Sequence, residues 1–161
     1  MTLSNDFGAP PSNPTVATAT STTLKVTCTG GSASQVKVCV KPGNGYPDNS
    51  IDPRRMANGS ARLEYNIYDD ANQVVNNQAA STIVSLSSSG GVNTGTGSIT
   101  LTGRLVASQS GLAPGTYTST MSSSRVTYGT NTSQNCNGVN TLADTFTLTA
   151  TASIGGSCTV N

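Results

Sequence analysis

Histidine is absent from this chain and charge is scarce. Without an imidazole, Ser–His and Cys–His nucleophile pairs cannot be built. Eight basic and seven acidic residues give a net charge of +1, and only 9% of residues are charged. An ordinary soluble domain carries roughly 25%. No basic stripe is present to neutralise phosphates, so nucleic-acid binding has no support. No run of about 18 apolar residues is present, so nothing reads as a membrane-spanning helix. Aromatic residues make up 4% and hydrophobic residues 34% of the 161 positions, which suits one domain with a modest core. Ser, Thr, Asn and Gln must cover its surface, a composition associated with extracellular walls, fibres and coats. A secretory leader is missing too, since Met1 is followed by a polar stretch. Either a leader has been removed and Met1 added, or the protein is cytosolic.

What is present begins with four cysteines: Cys28, Cys39, Cys136 and Cys158. None lies in a C-x-x-C pair, and with no histidine beside them they do not read as a metal site. No cofactor is indicated. An even count in a Ser/Thr-rich chain points to two disulfides in an oxidising compartment, which favours secretion. Four cysteines allow three connectivities, and free or differently paired cysteines stay open. The strand pattern narrows the choice. Cys28 shares a face with Leu24 and Val26. Cys39 points away from Val38 and Val40, toward a covering loop such as the one that holds Cys136. That favours Cys39–Cys136 and leaves Cys28 for Cys158.

The apolar residues alternate with period two, and no segment shows a 3.6-residue repeat. "FGAPPSNP", residues 7–14, is an irregular opening. "TTLKVTC" (22–28) and "QVKVCV" (35–40) read as half-buried strands. Residues 41–53 form a loop rich in Pro, Gly, Asn and Asp. Asn58-Gly59 marks a tight turn, after which Leu63, Tyr65 and Ile67 alternate with polar residues. "STIVSLS" and "GSITLTGRLV" are strands around a Gly-rich loop at 89–97. Residues 116–129 form a long strand with a bulge expected at its Ser run. Short strands separated by turns predict an all-β, immunoglobulin-like sandwich of about seven or eight strands.

Other chemistry reads blandly. Asp69-Asp70 is a turn, because neighbouring side chains on a strand end diverge and acid/base work needs convergence. Arg54-Arg55 reads as a solvated pair at a strand entrance rather than an anion clamp. Asn58-Gly59-Ser60 and Asn131-Thr132-Ser133 match the glycosylation acceptor, a chance match in this composition. No enzyme is expected.

The last segment, "DTFTLTATASIGGSCTV" (144–160), is the informative one. Phe146, Leu148, Ala150 and Ala152 form an apolar face opposite a Thr-rich one. It is either the final strand of the sandwich or a detachable strand of the kind that completes another sheet. The division expected is 1–142 for the sandwich and 143–161 for the donor-type strand with its cysteine.

"FG" near the start, "VTC", "RRM" before "ARLEYNIYDDA", "GRLVASQSGLAPGTYTSTM" and "FTLTATASIGGSCTV" together resemble the spore coat protein U family. That family includes subunits of archaic, Csu-type chaperone–usher pili, and the resemblance covers most of the chain. It implies a sandwich lacking its last strand, completed by the N-terminal extension of a neighbouring subunit. It also implies a periplasmic chaperone and an outer-membrane usher as partners, export through the periplasm, and a place in an adhesive, biofilm-forming surface pilus. The groove strand would present Tyr117, Met121, Val126 and Tyr128 to the donor residues. In the family, a stretch like 145–160 comes first, just before one like "TLSNDFG", and its cysteine pairs with the one in "VTC". Here it comes last. Two readings fit. The chain is the N-terminal domain of a two-domain tip adhesin, recognising a surface or glycan through loops 41–53 and 87–97. Alternatively it is a rearranged chain whose donor strand has been moved to the C-terminus to fill its own groove. The second, slightly preferred, gives Cys28 its family partner Cys158.

Overall fold

The structure is a computed structural model, described here for residues 19–75, 79–139 and 141–155. Nine strands follow in order: β1 (Ala19–Thr29), β2 (Gln35–Lys41), β3 (Arg54–Asn58), β4 (Ala61–Tyr68), β5 (Ala80–Ser85), β6 (Ser87–Ser89), β7 (Val92–Leu105), β8 (Gly115–Gly129) and β9 (Thr141–Ile154). Every strand pairing is antiparallel. The fold is all-β and sandwich-like, as the alternation predicts.

The ladder runs β1-β7-β4-β3-β8-β2-β5. β8 is the hinge of this arrangement. Its first half meets β3 at Thr118, and its last residues pair with β2 from Lys37 to Lys41. The long strand therefore passes from one layer to the other. A register shift between Met121 and Ser124 marks the place. The bulge expected at the Ser run lies there, and bulges bend a strand and raise its twist.

The β3–β4 hairpin turns on two residues, Gly59 and Ser60, between the paired Asn58 and Ala61. Gly59 takes φ 58°, the left-handed region that an L side chain resists. Leu63, Tyr65 and Ile67 point inward from β4, as read from the sequence. They meet Leu24, Val38, Met56, Ile99, Leu105 and Met121 in one continuous core. Burying each such side chain contributes about 1.5–3 kcal/mol.

The Gly-rich stretch at 89–97 is a correction. Only Gly90 and Gly91 turn the chain, and β7 has begun by Val92. Gly95 and Gly97 are strand residues because β5 crosses β7 there. A Cβ on Gly95 would overlap the Ser85 carbonyl, and one on Gly97 would lie 2.8 Å from Val84 Cγ2. Glycine inside a strand often marks such a close backbone approach. This contact closes one side of the sandwich.

Candidate functional site

The other side of the sandwich is where the terminal segment lies. Residues 141–154 are rich in Thr, with apolar residues at every second place, a pattern that fits a half-buried pleated strand. β9 pairs with β8 and with no other named strand. Ala152 lies opposite Tyr117, Ala150 opposite Ser119, Leu148 opposite Met121, and Phe146 opposite Ser124. Leu148 and Ala152 are buried, as are Tyr117 and Met121. Phe146 and Ala150 are half-buried against the core. The structure thus brings together the four residues read as a donor face and two of the four read as its groove.

Val126 and Tyr128 are placed differently. The shifts at Met121/Ser124 and Val126/Thr127 break the period of two along β8. Val126 faces Asp144, and Tyr128 faces Thr141 with its ring 41% exposed. Beyond Phe146 the strand lifts from the core, and Thr141–Thr145 are exposed. An apolar groove of about 1180 Å³ opens here. Its walls are β1 on one side and the start of β9 on the other. Leu24, Val26, Cys28, Val36 and Val38 line it together with Val126, Tyr128, Leu142 and Phe146. Leu142 is 56% exposed. β1 pairs with β7 alone among the named strands, so both walls present a strand edge. Such edges are templates for pairing with another chain.

One disulfide fixes the approach to β9. Cys39 and Cys136 are joined, with Cα atoms 5.7 Å apart and 97 positions apart in sequence. The bridge pins the loop after β8 to the outer face of β2, as the outward direction of Cys39 predicts. Val139, 3% exposed, packs beside Gly129 in the same loop. Cys28 is a half-buried free thiol among the described residues, and burial pushes its pKa up. Its expected partner, Cys158, lies outside the described residues.

A second polar region sits under the loop at 42–53. Arg62 Nε donates to both carboxylate oxygens of Asp48, at 3.1 and 2.9 Å. Arg55 Nε donates to Glu64 at 3.1 Å. Gly43 N donates to Ser124 Oγ at 2.9 Å, and Tyr46 N donates to Thr120 O at 2.9 Å. The loop is therefore fastened to β8 while the Tyr46 ring stays 67% exposed.

The reading of Arg54-Arg55 as a solvated pair needs correction. Arg55 is partly exposed, but Arg54 is wholly buried. β3 lies between β4 and β8, so alternate residues Arg54 and Met56 point into the core. Arg54 Nη1 donates to Val75 O at 2.9 Å and lies 3.4 Å from Ile51 O. Burial lowers the pKa of the guanidinium, with Tyr65 and Asp52 opposing. The Tyr65 phenol is pushed up by its own burial, against the pull of Ser119 and Arg54. The Asp69-Asp70 turn stands as read: Asp69 Oδ1 accepts from Gln73 N at 2.8 Å, and Asn72 takes φ 61°. No cluster of three metal-ligating side chains occurs among the described residues.

A disulfide-pinned antiparallel sandwich whose last described strand pairs along one edge beside a groove is an immunoglobulin-like architecture. Residues 1–127 match the Spore Coat Protein U domain, and the chain belongs to that family. No curated protein matches it. Among solved structures it is similar to the CupB6 tip adhesin from Pseudomonas aeruginosa, at 10% identity and a TM-score of 0.50. That match covers 96% of this chain and 40% of the adhesin, so the chain spans about two-fifths of that protein's length. The CooA pilin subunit from enterotoxigenic Escherichia coli matches at 13% identity and a TM-score of 0.47, covering 85% of this chain and 82% of CooA. At 10% identity the likeness to the CupB6 adhesin is one of fold.

Proposed function

We propose that this chain is a structural subunit of an archaic chaperone–usher surface pilus, joined to its neighbours by strand complementation and supporting adhesion and biofilm formation. The observation that carries this reading is the position of β9. It lies along β8 from Gly115 to Tyr128, and its edge faces a groove along β1 that no other described residue fills. A strand so placed can be exchanged for the same strand of another copy, because main-chain bonds give affinity and alternate side chains set register. Residues 1–142 would then be the sandwich body and 143–161 the donor segment. A periplasmic chaperone would cover the groove during export, an outer-membrane usher would join the subunits, and no catalytic role is proposed. The test removes residues 144–154 and adds a peptide of that sequence. Peptide binding that restores stability is expected. A truncated chain that stays a stable monomer and ignores the peptide would overturn strand exchange.

A second reading rests on the loop at 42–53, where salt bridges hold a rigid frame around an exposed Tyr46. Rigidly held surface loops commonly carry binding function. On that reading the chain is the adhesive domain of a tip protein. Binding of the intact chain to plastic or glycan surfaces, lost on trimming 41–53 or 87–97, would favour it.

A further inference from the structure

The wholly buried guanidinium of Arg54 is unusual for a chain with so little charge. Nη1 is occupied by the carbonyls of Val75 and Ile51, while Nε and Nη2 are buried and have no hydrogen-bond partner among the described residues. Those two N–H groups lie on the same edge of the planar fork, the edge that binds anions side-on. Arg54 forms no ion pair among the described residues. Two more buried hydroxyls lie in this region. Ser119 Oγ lies on the adjoining strand β8 beside the Tyr65 hydroxyl, and Ser50 Oγ lies in the covering loop one residue before Ile51. Tyr65 is the cross-strand neighbour of Arg54, and its hydroxyl is 3.7 Å from the Met121 sulfur. The loop is packed tightly over this cluster: a Cβ on Gly45 would lie 2.8 Å from Ser119 Oγ.

A buried cation is tolerated when a counter-charge and hydrogen bonds accompany it. Here the protein supplies donors in excess: two N–H groups with no acceptor among the described residues. We propose that Arg54 Nε and Nη2 form a binding site for a small inorganic anion of chloride size, which neutralises the guanidinium and locks the 42–53 loop onto β3 and β8.

The test uses the purified full chain, with bromide as a chloride substitute. Crystals grown in sodium bromide should give an anomalous peak within about 3.5 Å of Arg54 Nε and Nη2, a hydrogen-bond distance for a halide slightly longer than for oxygen. In solution at constant ionic strength, replacing gluconate by chloride should raise the melting temperature by about 2–4 °C, as ligand binding to the folded state requires. Arg54→Met should lose that chloride dependence. Should this variant not fold, the bromide crystals of the unaltered chain still decide. A water alone at Arg54, bromide peaks only elsewhere, or equal melting temperatures in the two salts would overturn the proposal.

Discussion

The two halves of β9 are both Thr-rich and have different fates. From Leu148 to Ile154 the strand is part of the core, with Leu148, Ala152 and Ile154 buried over Tyr117 and Met121. From Thr141 to Thr145 it keeps its pairing with β8 but loses the second wall, and every residue is exposed. The bulge at Ser122–Ser123 divides them. Hydrogen bonding along the ladder is the same kind of interaction in both halves. What differs is apolar burial, and apolar burial is the larger driving force. The paired but unburied half is the part that a neighbouring strand could extend or replace.

The largest expected effect comes from the covalent anchor of the exposed half. The Cys39→Ala, Cys136→Ala double variant should lose about 3–5 kcal/mol of unfolding free energy in urea titrations, because the bridge closes a long loop. It should also make the 141–145 amides exchange faster than in the oxidised chain. Next, Leu148→Ala in the buried half should cost about 2–5 kcal/mol, the usual range for a leucine lost from a packed core. A cost under about 1 kcal/mol would mean that this half is not seated as described.

At the junction, Ser124→Ala removes two bonds at once. Ser124 Oγ accepts from Gly43 N and donates to Met121 O, both at 2.9 Å. Leaving a buried amide without a partner should cost about 1–3 kcal/mol, measured by thermal melting, and should loosen the 42–53 loop. The smallest effect belongs to the exposed half. Leu142→Ala should change stability by less than about 0.5 kcal/mol while weakening any association that uses the groove. That split is readable by comparing a melt with a sedimentation or light-scattering titration.

Much of this was legible in the sequence. The strands around Leu24, Val36 and Leu63 announce themselves by strict alternation, and the Asn58-Gly59 turn by its chemistry. The Cys39–Cys136 bridge followed from which way Cys39 points. The bulge followed from three small serines in a long strand. The misses share a cause. Gly95 and Gly97 read as a loop because their reason for being glycine is β5, which is remote in sequence. Arg54 read as solvated because its neighbours Val75 and Tyr65 come from two other segments. Tyr128 read as facing the donor residues on a regular period, and after the second register shift it stands opposite Thr141 at the mouth of the groove instead.

The sequence alone determined that this chain is all-β, poor in charge, stapled by cysteines and without histidine chemistry, because composition and period two are local properties. Only the tertiary structure decided the register of the last strand on β8, that half of it is buried and half left at the lip of a groove, and that one arginine sits inside. Pairing partner and depth of burial depend on segments brought together from across the chain, and no local pattern encodes them.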